Sequence, residues 1–382
     1  MGEIHHKLSL GMTLSSLSQF SDAFSKEKPS VIRMLFIVVV CVLESRSTNL
    51  SILKNKVGGV TGQRDRQPNS HYVRLIRFFK IPHKARMIES ILKLCFRLLN
   101  GKVSYLILDG TKWKLGSQWI HLMVLSVVCK GVSVPIAWID LSKKGHSHFE
   151  ERKRLIEKAQ QYLTLKGLVL IADREYEGRQ WFSFLHDQQI DFIIRLKNKS
   201  YRQEVDQAPG WAYSKLRKLA KRRKNGASKT INLGGNEFTY VVYRNPKPEG
   251  KEPYFFFLSS LSKRERIIRT YPIRWKIETN FLHLKSKGFD LEAMNFKDST
   301  KVELMMAILT FAYVICLHEG WKNKEKIKTK NFKDQGETKR PEISIFKLGA
   351  DYIATRIFDL KAIAQFVAKI LKRRPLPIAS FV

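Results

Sequence analysis

Val103-Ser-Tyr-Leu-Ile-Leu-Asp-Gly110 is a short apolar run that closes on a carboxylate and a turn dipeptide. Sixty residues on, Leu168-Val-Leu-Ile-Ala-Asp173 repeats the pattern. Runs with so few polar positions read as strands buried on both faces. Between them, Trp119–Val128 and Val134–Ile139 are two more strand candidates, separated by Lys130-Gly131. The first three runs read as a meander. Glu150–Leu163 carries helical spacing, with Leu155, Ile156 and Ala159 apolar. The order is therefore three strands, a helix and a strand, with Asp109 and Asp173 expected at the ends of the first and fourth. A carboxylate that loses water there needs a partner, because an unpaired buried charge is very costly. Either aspartate alone reads equally as an ordinary turn residue; two on strands able to lie side by side are more informative.

A third element bears on both. In Tyr271-Pro-Ile-Arg-Trp-Lys-Ile-Glu-Thr-Asn-Phe-Leu-His-Leu-Lys285, Pro272 suits the first position of a helix. At about 100° per residue from Tyr271, Arg274 falls near 300°, Glu278 near 340° and Lys285 near 320°, so the four share a sector roughly 60° wide. Ile273, Ile277, Phe281 and Leu284 form an adjacent apolar stripe that can pack on a sheet. The bland reading is an amphipathic helix with a salt-bridged face. The sharper one brings Glu278 to the two aspartates. Three crowded carboxylates repel, by on the order of 4 kcal/mol for two charges about 4 Å apart at an effective dielectric of about 20. Divalent cations remove that cost. Hard oxygen donors select Mg²⁺, with Mn²⁺ as a substitute, and two such ions serve an in-line phosphoryl displacement. Arg274 and Lys285 would hold phosphates beside that centre.

Charge points to the same class of partner. The 382 residues hold 69 Lys+Arg against 34 Asp+Glu, a formal net charge of +35. That excess strains a compact state unless a polyanion offsets it, and nucleic acid is the natural one. Hydrophobic content of 44% excludes wholesale disorder. The length predicts more than one domain. Cys41, Cys95, Cys129 and Cys316 are too scattered for a CxxC zinc site or a disulfide scaffold, which favours a reducing compartment. The apolar run Val31–Leu43 is 13 residues long and contains Arg33; a membrane span needs about 20, so a buried helix is expected.

Residues 31–100 read as helices broken at Gly58-Gly59, Gly62 and Pro68-Asn69. They carry Arg64, Arg66, Arg74, Arg77, Lys80, Lys84 and Arg86. This is either a duplex-reading module or a helical domain with a solvated basic face. Residues 215–224 hold seven basic residues in ten, a strip for contact with DNA or a merely solvated face. Thr230–Tyr243 and Tyr254–Leu258 look like strands of a β-rich insertion. Val302–His318 reads as a core helix. Residues 321–340, Lys-rich and poor in apolar residues, suggest a mobile connector. Helical spacing returns over 344–371, with Pro375 and Pro377 ending it.

These residues resemble the DDE transposases of bacterial insertion sequences, in particular the insertion-sequence-four group. That group's mark is Tyr, two residues, Arg, three residues, Glu, six residues, Lys. Tyr271, Arg274, Glu278 and Lys285 meet every spacing. Asp109 looks like the first acid and Asp173 the second, and Lys143-Lys-Gly-His-Ser147 has the family's flavour. The resemblance spans roughly residues 45–320. It implies an α/β fold: an RNase H-like catalytic core, a mixed sheet flanked by helices, interrupted by a β-rich insertion, with helical N- and C-terminal regions. The expected division is an N-terminal helical DNA-binding region at 1–100, core at 101–199, insertion at 200–262, core again at 263–320, and a basic connector with C-terminal helices at 321–382.

The resemblance also implies an activity: Mg²⁺-dependent cleavage at transposon ends and strand transfer into target DNA, by cut and paste through a hairpin. Asp109, Asp173 and Glu278 would be the catalytic acids and ligands of two metal ions. Tyr271, Arg274 and Lys285 would contact DNA. The partners would be terminal inverted repeats and target DNA, bound by a homodimer in a bacterial cytoplasm, at the nucleoid. A flipped base is held by an aromatic residue in relatives; Trp211 and Trp275 are candidates, and the role stays open. Two alternatives remain at this point: an inactive DNA-binding relic, and an RNase H-like nuclease or resolvase. Glu175 and Glu177 are expected exposed at the start of the next helix. Arg174 either touches phosphate or is solvated. His146 and His148 lack a third metal ligand.

Overall fold

The computed structural model describes residues 24–99, 101–246, 252–332 and 338–355. The polar first 23 residues, the helical spacing expected beyond 355, and Pro375 and Pro377 lie outside the described residues. In chain order the elements begin with helices α1 (Pro29–Ser45), α2 (Leu50–Thr61), α3 (Pro68–Phe79) and α4 (Lys84–Leu99). Then come β1 (Tyr105–Leu115), β2 (Gln118–Cys129), β3 (Val132–Asp140), α5 (Phe149–Gln160), β4 (Val169–Ala172), α6 (Arg179–Asp187) and β5 (Asp191–Leu196). They are followed by α7 (Arg202–Gln207), α8 (Tyr213–Arg222), β6 (Ala227–Leu233), β7 (Asn236–Arg244), β8 (Tyr254–Ser259), α9 (Arg264–Thr270), a 3₁₀ turn (Tyr271–Arg274) and α10 (Trp275–Leu284). The last are α11 (Ser299–Lys322), β9 (Thr329–Phe332), β10 (Thr338–Pro341) and α12 (Ile345–Ala354).

The chain divides into two compact units. Among the described residues, one comprises 24–99, 113–118, 281–332 and 338–355; the other comprises 101–112, 119–246 and 252–280. The first is helical. Its centre is α11, buried along most of its length from Val302 to Gly320, with α1, α4 and α12 against it. Asp298 caps α11 by accepting the Lys301 N–H at 2.9 Å. Gly349 of α12 lets the helices touch: a Cβ there would lie 1.7 Å from the Cys316 carbonyl oxygen. By length and composition α11 is apolar enough to cross a membrane, but 83% of that stretch is buried inside the fold, as in a core helix. The run Val31–Leu43 lies in α1 and is buried from Met34 to Leu43. The expected mobile connector is corrected in part: β9 and β10 pair antiparallel, Thr338 opposite Phe332. A two-stranded ribbon is held by backbone hydrogen bonds, so low apolar content did not forbid it. All four cysteines are buried.

The second unit is built on an eight-stranded mixed sheet, order β3-β2-β1-β4-β5-β8-β7-β6, flanked by helices. The first three strands follow one another in the sheet, as the meander requires. β4 then joins β1 in parallel, and β5 joins β4 in parallel. β8, β7 and β6 continue the same sheet antiparallel. The strands expected over 230–258 therefore form, but they extend the edge of this sheet rather than making a sheet of their own.

Candidate functional site: a carboxylate–arginine cluster at the sheet edge

Register places the two aspartates. Leu108 of β1 is opposite Ala172 of β4, the last pair of their parallel ladder. Asp109 and Asp173 come next on adjacent strands, roughly one strand spacing apart, about 4.8 Å. One expectation is corrected here. Asp109 does not end its strand: β1 runs on to Leu115, and what stops at Asp109 is its pairing with β4. Beyond that point Thr111 and Trp113 face inward while Lys112 and Lys114 face solvent, the alternation of a half-buried strand.

The segment from Tyr271 to Glu278 brings the remaining groups. Arg274, 8% exposed, donates from Nη1 to Asp109 Oδ2 at 3.0 Å and from Nη2 to Glu278 Oε1 at 2.6 Å. Burial opposes the charge of Arg274, yet Tyr271, Asp109, Asp173 and Glu278 outweigh it and raise its pKa above the ordinary value. Asp109 moves the other way from a free carboxyl. Burial pushes its pKa up to about 6, Arg274 and the Gly110 N–H pull against that, and Asp173 and Glu278 add to it. Glu278 is half exposed.

Tyr271 departs from the rim position that uniform helical spacing predicts. It is 5% exposed, its ring packs 4.7 Å from that of Phe257, and it belongs to the core cluster with Val169, Ile171 and Ile267. The cause is the 3₁₀ turn at Tyr271–Arg274. Three steps of a three-residue turn advance about 60° further than α-helical ones, which rotates Tyr271 inward. Its hydroxyl lies 3.5 Å from Asp173 Oδ1. Burial, and then Asp173, raise its pKa, so it stays protonated and donates. Lys285 falls in the helical unit, paired with Glu292 Oε1 at 2.7 Å and lying over the Trp113 ring at 5.6 Å.

Sequence reasoning missed three supports. Arg195 at the end of β5 reaches Asp173 Oδ1 at 3.9 Å. Arg152 of α5, 7% exposed, donates to Ser147 Oγ at 2.9 Å and to the Glu175 carbonyl at 2.9 Å, with its guanidinium 5.2 Å above the Tyr176 ring. It thereby ties the segment after Asp173 to α5. Its signal was present, since Arg152 lies on the stripe of Leu155, Ile156 and Ala159. His121 of β2 packs against Gly110, where a Cβ would come within 2.9 Å of its Nε2. Burial lowers the His121 pKa, so the ring is neutral at pH 7.

Glu175 and Glu177 are not exposed, contrary to expectation. Glu177 binds the Ser200 hydroxyl at 2.9 Å and Lys197 Nζ at 3.2 Å, fastening the turn to the end of β5. His148 caps α5, its N–H donating to Glu151 Oε2 at 2.7 Å, and His146 pairs with Glu175 at 3.4 Å. Trp211 and Trp275 are 53% and 49% exposed, with Lys215 5.2 Å over the first ring and Arg274 5.6 Å over the second.

Among the described residues, no three His, Cys, Asp or Glu side chains are grouped closely enough to hold a metal ion. Arg274 explains this for the predicted set, because its guanidinium occupies the space between Asp109 and Glu278. The donor chemistry still suits a hard divalent cation. All three groups are carboxylates, hard oxygen donors of the kind that Mg²⁺ and Mn²⁺ prefer.

The second unit is thus a mixed α/β fold in which acids and arginines gather at one point, where the pairing of the central strands β1 and β4 ends. A family model, the transposase DDE domain, matches residues 101–315, more than half of the chain. The chain belongs to that family and is a transposase. No curated protein matches it in sequence. Among solved structures it is similar to the cryo-EM piggyBac transposase synaptic complex with hairpin DNA, at 12% identity and a TM-score of 0.45, covering 92% of this chain and 75% of that one. It is also similar to endonuclease V from Bacillus subtilis, at 14% identity and a TM-score of 0.28, covering 54% of this chain and 94% of that one.

Proposed function

We propose that this chain cleaves DNA at the ends of a mobile element and transfers the freed strands into target DNA, as a member of the insertion-sequence-four group. The observation that carries the reading is the single cluster in which Asp109, Asp173 and Glu278 surround Arg274 from positions 64 to 169 residues apart in sequence. The sheet is read as an RNase H-like core, residues 200–262 as its insertion, and the helices before residue 100 as the module that reads the duplex.

Asp109, Asp173 and Glu278 would hold Mg²⁺ or Mn²⁺. When bound, such ions activate a nucleophilic oxygen and stabilise the departing one. The chain's own residues do the rest. Tyr271 orients Asp173 by donating to it. Arg274, released from Asp109 and Glu278, turns its fork to a DNA phosphate, which a guanidinium binds as readily as a carboxylate. Lys285 contributes a further phosphate contact. Water attacks first at the element's end and frees a 3′-OH; that hydroxyl attacks the opposite strand to give a hairpin, which is reopened before joining to target. The working form is a dimer on two ends.

The test uses the terminal inverted repeats that flank the gene as substrate. Asp109→Ala, Asp173→Ala and Glu278→Ala should each abolish metal-dependent cleavage while DNA binding persists. Cleavage surviving in all three would refute the assignment. Binding without cleavage by the unaltered protein, in Mg²⁺ and in Mn²⁺, would identify an inactive relic.

A further inference from the structure

A small, open cleft lies between β5, β8 and α8 of the second unit, lined by Arg195, Asn198, Arg217, Glu252 and Tyr254. Two arginines face it. Arg195 is 19% exposed and is braced by the Phe255 ring at 4.7 Å. Arg217 lies 5.1 Å over the Tyr254 ring, and its buried Nε has no hydrogen-bond partner among the described residues. The acid in the lining, Glu252, pairs with Arg195 and, outside the cleft, with Arg174. That carboxylate is 44% exposed, so it is open to exchange. At one end Arg195 connects the cleft to the carboxylate cluster, reaching Asp173 at 3.9 Å. The other end is α8. Tyr213, Leu216 and Ala220 fix that helix to the sheet, while Lys215, Lys218, Lys221 and Arg222 stay exposed.

We propose that this cleft is the seat of a backbone phosphodiester of the DNA strand, in which Glu252 stands in for the phosphate until DNA displaces it. The inference rests on the DNA reading above and adds to it a subsite and a built-in competitor. A carboxylate and a phosphodiester each offer a guanidinium two acceptor oxygens, so one can replace the other on Arg195 without rebuilding the site. Arg217, held in place by Tyr254 with an unpartnered Nε, supplies the second donor. The cationic face of α8 continues the track, and this distinguishes an extended strand from a small free anion. Glu252 has two consequences. It offsets two arginines in the free protein, and it weakens binding to any polyanion that cannot fill the cleft well enough to expel it.

The experiment measures binding of a fluorescent oligonucleotide by the full chain across a salt series. Glu252→Gln keeps the side chain's shape and removes the competitor. It should tighten binding on the order of fivefold, the scale of one half-exposed ion pair. Arg217→Ala should weaken binding and lower the slope of log K against log salt by about 0.7 to 0.9, one phosphate contact. Arg217→Lys should restore the slope. Thermal melts of each variant establish that it is folded, and the Gln and Lys variants keep the test open if the Ala variant is not. Unchanged or weaker binding by Glu252→Gln, with an unchanged slope in Arg217→Ala, would overturn the proposal. So would a Glu252→Gln variant that gains affinity for inorganic phosphate but none for the oligonucleotide. If the unaltered chain binds no oligonucleotide at all, the failure belongs to the DNA reading; if it binds and the variants match it, only the seat fails.

Discussion

Replacing Asp109 by Asn should stabilise the protein at neutral pH while destroying its activity. Burial holds the Asp109 carboxyl at a pKa of about 6 against an ordinary 3.8. The sign follows from linkage. A group whose folded pKa is raised contributes stability that is fully present below about 3.8 and is lost as pH rises through about 6. At about 1.36 kcal/mol per pH unit, the loss between those limits is on the order of 3 kcal/mol. The side chain is 22% exposed, so solvent screening removes only part of it. Asp109→Asn keeps the volume and discards the charge. Urea unfolding of the two proteins at a series of pH values from about 4 to 7.5 should show the variant gaining on the parent by about that amount, with the difference flat above pH 7. A bound divalent cation opposes the trend. Mg²⁺ at pH 7.5 should stabilise the parent, by about 1.4 kcal/mol for each tenfold rise in ion once the site is saturated, and should do little for the variant. A difference between the proteins that does not change with pH, or that changes in the opposite sense, would refute the reasoning.

Two further perturbations probe the same edge. Gly110→Ala puts a Cβ 2.9 Å from His121 Nε2 in a buried setting, and should cost about 1–3 kcal/mol of stability; an unchanged melting temperature would show that the His121 ring yields freely. Arg274→Ala removes the charge that bridges Asp109 and Glu278. It should cost about 3 kcal/mol or more at pH 7.5 and move the pH dependence assigned to Asp109 above its midpoint near 6, measured by the same urea series.

What the sequence showed and hid at this edge has definite causes. Leu106–Leu108 and Val169–Ala172 announced themselves as buried strands, and the acids after them were legible because nothing else in those runs is charged. The length of β1 was misread because Asp-Gly is a strong turn signal, although Thr111-Lys-Trp-Lys114 alternates as a strand should. Pairing with β2 overrode the local turn preference. Arg274 and Glu278, four residues apart on one helical face, came out as neighbours. The nearness of the Tyr271 hydroxyl to the cluster was legible too, but the burial of its ring was not, because a uniform 100° rotation cannot foresee a 3₁₀ turn around Pro272. Arg195 and Glu252 were illegible for another reason. Their meeting depends on β8 lying beside β5, a non-local antiparallel pairing that no local pattern encodes.

The arginines give this edge a property that neither acids nor bases would have alone. Arg274 holds Asp109 and Glu278, and Arg195 holds Asp173 and Glu252, so each carboxylate has a cation that belongs equally well on a phosphate. Under the function proposed here, a DNA strand draws the arginines away and leaves the carboxylates uncompensated at close range. Their mutual repulsion is then relieved most directly by divalent cations. Metal affinity must therefore rise when DNA is bound, and by thermodynamic reciprocity DNA affinity rises by the same factor when metal is bound. In the free protein the arginines compete with ions for the acids, so metal should bind more weakly there than in the complex. On that proposal cleavage chemistry is favoured where a strand is already in place, without any change of fold.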